Sequence, residues 1–181
     1  MDTTPEVNKP FWKQWNAAAG TYAVGEVFNG DVEYVSSYQG SALDGVLSYP
    51  LFFTLRNVFA QQQSMNQLQS MDKAYKAFPD RGLLGTFVDN HDNARFLSIQ
   101  PDQTLYKNAL TYVIYSTGIP IIYYGTEQGF NGGNDPNNRE PLWTSGYNEQ
   151  TPLYLFLKTI VGHRKQTQVW EQPQVQRYSD N

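Results

Sequence analysis

The chain has 181 residues, 40% of them hydrophobic and 15% aromatic, with 13 Lys and Arg against 17 Asp and Glu for a net charge of -4. That length buries one ordinary core. The acidic balance argues against nucleic acid as a partner, no apolar run approaches the roughly 20 residues of a membrane helix, and the absence of cysteine excludes disulfides, thiolate catalysis and cysteine-held zinc. The opening MDTTPEVNKPFWKQW has neither a basic start nor an apolar centre, so no signal peptide is expected and the compartment stays open.

In chain order, Asn8 to Ala19 reads as a helix closed by Gly20, a residue suited to a left-handed stop. Thr21 to Val27 reads as a strand, followed by the turn Asn29-Gly30-Asp31. A second strand, Gly45 to Tyr49, stops at Pro50, and Leu51 to Ala60 and Met65 to Phe78 have helical spacing. Leu83 to Val88 is a third strand, ending in the polar cluster Asp89-Asn90-His91-Asp92-Asn93. A helix from about Gln103 to Ser116 precedes the apolar strand Ile119 to Tyr124. A Gly-, Asn- and Pro-rich loop then leads to a last helix near Pro152 to Arg164, and residues 169–181 read as a tail.

Short apolar strands separated by helices predict an α/β fold with parallel strands joined by crossovers. Val24, Val46, Phe87, Val88, Ile121 and Ile122 are expected on its inward face. Such folds place their chemistry at strand C-termini. Glu26 and Asp92 stand there, and two carboxyls at one rim can act as general acid and charge stabiliser in glycoside cleavage. By position alone both also fit loop acids making ordinary hydrogen bonds. Equally, the aromatic content fits either core packing or stacking on sugar rings.

The wording of the motifs is more specific. GEVFNGD and FVDNHDNARF closely resemble the segments that end barrel strands five and seven in the α-amylase family of glycoside hydrolases. GIPIIYYGTEQGF resembles the strand-eight segment, GGNDPNNREPLW the loop after it, and YQGSALDGVLSYPLFFTLRN the fungal-type branch. The resemblance runs to about Arg164. It implies a (β/α)8 TIM barrel of which residues 1–168 supply the end of strand four through helix eight, with 169–181 leading towards a further C-terminal domain.

It also implies roles, residue by residue. Glu26 matches the general acid/base and Asp92 the transition-state stabiliser, while His91 matches the adjoining sugar-binding histidine, a residue that alone would read as a loop histidine. Asp135 and Arg139 match a pair holding glucose units on the non-reducing side, though alone they read as an i,i+4 ion pair. Phe28 and Gly30 match contacts to the leaving sugar. Asp2 aligns with the nucleophile: Asp2-Thr3 lies nine residues before Phe11-Trp12, the family's interval. Met1 stands where the family has Ile, and Pro5 and Glu6 replace its Lys-His. Alone, Asp2 reads as a frayed terminal residue.

The resemblance therefore implies retaining hydrolysis of α-1,4-glucans such as starch and glycogen, in a secreted or digestive setting for the full-length enzyme. No cofactor is expected within this chain, and the family's calcium is expected to take most of its ligands upstream of Met1. The alternative is a catalytically inactive glucan-binding remnant, and hydrolysis against glycosyl transfer stays open. Four strands also leave two sheet edges for self-association.

Overall fold

The computed structural model describes residues 1–175, 178 and 179. Helix α1 (Lys9–Ala19) starts where the Asn8 side chain accepts from the Phe11 N–H at 2.9 Å and ends at Gly20, whose φ of 62° needs no Cβ penalty. Strand β1 (Val24–Gly25) follows, then β2 (Gly45–Val46), β3 (Gly85–Thr86) and β4 (Ile119–Pro120). β1 pairs with β2 and β3 with β4, both in parallel, and a parallel bridge from Leu47 to Gly85 joins the pairs into one order, β1-β2-β3-β4. Four successive parallel strands with helical crossovers make the α/β arrangement of half a TIM barrel.

The paired ladders are shorter than the strands the sequence predicts. Flanking residues continue in single steps, such as Leu47 N–H to Gly25 O at 2.9 Å and Ile121 N–H to Thr86 O at 2.8 Å. Apolar runs report buried extended backbone, but the stagger between neighbours decides how much of it pairs.

Helix α3 (Tyr49–Leu55) runs directly into a π-helical stretch, Arg56–Ala60. The expected second helix is α4 (Asn66–Ala74) plus a 3₁₀ turn to Ala77. Two short helices went unread: α2 (Val32–Ser36), capped by Asp31, and α5 (Phe96–Ile99). Helix α6 (Gln103–Tyr115) is capped by Asp102, and α7 (Pro152–Thr167) by Thr151. Among the described residues no helix is long and apolar enough to cross a membrane.

The inward set needs correction. Val46 and Val88 are 0% and 2% exposed inside the core between sheet and helices, while Ile122, partly buried, packs against that core and also lines the cleft. Val24, Leu47, Phe87 and Ile121 face the concave side instead. Successive side chains on a strand point to opposite faces, so Val46 and Leu47 cannot share one, nor Phe87 and Val88. Gly85 lacks a side chain on that side, and a Cβ there would meet Ile121 at 2.9 Å and Leu47 at 3.0 Å. On the concave side Tyr49, Phe52 and Phe87 form a second apolar cluster.

The tail is not wholly detached. Trp170 lies over the Arg164 guanidinium at 5.3 Å, and Tyr178 packs against the main core with its hydroxyl 3.3 Å from that of Tyr112. Residues 176, 177, 180 and 181 of the expected tail lie outside the described residues.

Candidate active site

At the C-terminal ends of the strands lies a cleft of about 490 Å³ whose walls include Asp2, Glu26, Tyr49, Asn90 and His91. The alternation that sends Val24 inward sends Glu26 inward as well, one step beyond β1. Glu26 Oε2 accepts from the Thr3 N–H at 3.0 Å and Oε1 from the Tyr49 hydroxyl at 3.3 Å.

Asp2 is held rather than frayed. The Met1 nitrogen donates to Val24 O at 2.6 Å and the Glu26 N–H donates to Met1 O at 2.8 Å, which is the hydrogen-bond pattern of a parallel neighbour to β1. Thr4, fully buried, extends it: its N–H reaches Glu26 O at 3.0 Å, and its carbonyl accepts from the Trp12 indole at 2.8 Å. The sequence shows no strand-like bond there, because those with Val24 and Glu26 are made with residues distant along the chain.

Asp2 and Glu26 hydrogen-bond through their carboxyls, and their proton affinities separate. The hydrogen bond from Glu26, with a second from Thr3, holds Asp2 below the usual carboxylate range. Burial, first, and then the nearby charges of Asp2 and Asp92 push Glu26 above it, against the opposing Thr3 N–H. One carboxyl is thus biased towards its protonated form and its neighbour towards the ionised one.

The segment after β3 brings the remaining residues in. The His91 ring lies 3.4 Å from Asp92, and Arg139 bridges Asp92 at 3.4 Å and Asp135 at 2.9 Å. The expected Asp135–Arg139 pair is therefore present, and it also reaches the loop carrying His91 and Asp92. All four side chains remain partly exposed. Phe28, 57% exposed, sets its ring edge-on to Tyr49 at 4.8 Å and near Phe53 at 5.8 Å. Gly30 lies in the exposed turn beyond, above the Phe53 ring.

Several residues that shape the site escaped the sequence reading. Asn138, wholly buried, donates to the carbonyls of Asn90, His91 and Asn93 and pins that loop from the NDPNNRE segment. Asp89, 4% exposed, accepts from Arg56 at 2.7 Å, the Phe96 N–H at 2.8 Å and the Tyr106 hydroxyl at 2.5 Å. Asp89 was legible as part of a polar cluster, but Arg56 lies 33 residues away and carries no local signal. Among the described residues no three His, Cys, Asp or Glu side chains gather as a metal site would need, so this donor set does not by itself fit the calcium that the resemblance implies.

The chain's relatives place it in a family. Residues 2–177 match the family described as "Alpha amylase, catalytic domain". Alpha-amylase 1 of Lipomyces kononenkoae is 46% identical over 162 residues, covering 88% of this chain and 26% of that protein. The alpha-amylase of Saccharomycopsis fibuligera is 42% identical over 159 residues, covering 87% of this chain and 32% of that protein. The solved structure of an alpha-amylase from Malbranchea cinnamomea superposes with a TM-score of 0.88 at 42% identity, covering 92% of this chain and 36% of that one. The chain belongs to the α-amylase catalytic-domain family and has part of the TIM-barrel fold of its members. It spans about a quarter to a third of the length of these curated relatives.

Proposed function

We propose that this chain carries the acid/base side of an amylase-type active site, and that the protein it belongs to hydrolyses α-1,4-glucosidic bonds of starch or glycogen with retention. The observation that carries this reading is the Asp2–Glu26 pair, with unequal proton affinities, in a strand-end cleft that His91 also lines, His91 being linked through Asp92 to Arg139 and Asp135.

In the proposed reaction, protonated Glu26 gives its proton to the glycosidic oxygen while ionised Asp2 attacks the anomeric carbon, and the aglycone leaves as an alcohol. Glu26, now a carboxylate, takes a proton from water, whose oxygen displaces Asp2 from the sugar. His91 and Asp92 would hold hydroxyls of the reacting ring, with the Asp92 charge opposing the oxocarbenium. Asp135 and Arg139 would hold glucose units on the non-reducing side, and Phe28 and Gly30 the leaving sugar. Asp2 and Glu26 are near enough to shift each other's proton affinity, as two carboxyls sharing one site do.

Replacing the matching 162-residue segment of the Lipomyces kononenkoae relative with that of this chain tests the reading. The chimera should release reducing sugar from soluble starch, and its Glu26→Gln variant should lose about a thousandfold in turnover. A folded chimera without activity, or a variant within about tenfold of its parent, sinks the assignment.

For the chain on its own, one feature favours glucan binding without turnover. The cleft lies open along β4, where Ile119 and Ile121 are 40% and 39% exposed, so water reaches the paired carboxyls. The same open edge supports association between copies.

A further inference from the structure

Tyr49 is wholly buried at the C-terminal end of the segment carrying β2, packed among Phe28, Phe52, Phe53 and Phe87. Its ring is an ordinary core ring. Its hydroxyl is not, because it bridges Asn90 Nδ2 at 2.8 Å and Glu26 Oε1 at 3.3 Å. Nothing in the reaction set out above uses it.

The direction of this bridge follows from Asn90. Its Oδ1 accepts from the Asp92 N–H at 3.2 Å, the Asn93 N–H at 3.1 Å and the Asn93 side-chain amide at 2.9 Å. With three donors on that oxygen, the amide can turn only its NH2 towards Tyr49. The Tyr49 oxygen therefore accepts from Asn90, and its own proton points to Glu26. An acid at position 90 would reverse the sense, since a carboxylate can only accept.

We propose that Tyr49 is a positioning residue for Glu26, and that the one-way chain from Asn90 through Tyr49 to Glu26 joins the acid/base to the loop bearing His91 and Asp92. The inference rests on Glu26 being the acid/base. A donor fixed on Oε1, with the Thr3 N–H on Oε2, orients the carboxyl plane into the cleft and offsets part of its burial. The 3.3 Å contact is long for an O–H···O bond, so its share is modest.

The test is a carbon-13 NMR titration of the Glu26 carboxyl in the full chain, which needs no turnover. Tyr49→Phe keeps the buried ring and should raise the Glu26 midpoint by about half a pH unit. Asn90→Asp turns the Tyr49 proton away and should raise it further, and in a Tyr49→Phe background this second rise should shrink to the effect of the added charge alone. A midpoint unmoved by Tyr49→Phe in a folded chain, or identical Asn90→Asp shifts with and without the Tyr49 hydroxyl, overturns the proposal. Either result leaves the starch test of Glu26 standing, so failure of the chain of hydrogen bonds and failure of the acid/base reading are told apart.

Discussion

Arg56→Met removes the cation beneath the loop that bears His91 and Asp92. Arg56 is 8% exposed, in the π-helical stretch after α3, with its guanidinium over the Phe52 ring at 4.6 Å. It donates to Asp89 Oδ1 at 2.7 Å, to Ala94 O at 2.6 Å, and through two nitrogens to Val88 O at 3.3 and 3.2 Å. Methionine keeps the contact with Phe52 but leaves the 4% exposed Asp89 with only the Phe96 N–H and the Tyr106 hydroxyl. Breaking a buried ion pair from one side costs about 3–5 kcal/mol. The two orphaned carbonyls belong to the same network, so their loss adds less than its usual share. A loss of about 4 kcal/mol is a large part of the roughly 5–15 kcal/mol that holds a domain folded, and corresponds to a melting point lower by roughly 8–16 °C. Urea unfolding followed by circular dichroism measures it, and Arg56→Met/Asp89→Asn should be more stable than Arg56→Met because it removes the stranded charge. A single variant within about 1 kcal/mol of the parent, or a double variant no better than the single, would refute this account of the loop's support.

Three further outcomes are expected. Glu26 binds its proton more tightly folded than unfolded, so its contribution to stability is complete below the ordinary value of 4.5 and is lost as pH rises through its raised folded value. Glu26→Gln should therefore melt with the parent near pH 4 and up to about 2 °C above it at pH 7, and thermal scans across that range that show the reverse order would contradict the burial argument. Arg139→Ala should weaken maltoheptaose binding by about tenfold while changing stability by less than about 1 kcal/mol, because its ion pairs to Asp92 and Asp135 are half exposed; calorimetric titration beside a melt separates the two. The open β4 edge and the apolar concave residues should make the chain self-associate, and sedimentation velocity that finds only monomer across the micromolar range would count against it.

Much of the architecture was legible because it is local. Asn8 and Gly20 announce both ends of α1, Asp102 and Thr151 stand before the helices they cap, and short apolar runs between helices fix a parallel α/β chain. The motif segments likewise placed Glu26, His91, Asp92, Asp135 and Arg139 at strand ends and in the following loop, where the structure gathers them. Sidedness was legible in principle, since alternation alone separates Val46 from Leu47 and Phe87 from Val88.

Tertiary structure decided what depends on partners far along the chain. Met1 and Thr4 are tied to the β1 segment only because Val24 and Glu26 offer the matching carbonyl and amide groups, and this anchors Asp2 beside Glu26. Asn138 reaches back across more than forty residues to clamp the His91 loop, and Arg56 finds Asp89 across 33. A buried polar group must meet its partner somewhere, but residue type alone does not say where. The proton affinities of Asp2 and Glu26 follow the same rule: composition supplies two carboxyls, and only their contact, burial and shared donor Thr3 raise that of Glu26 and lower that of Asp2.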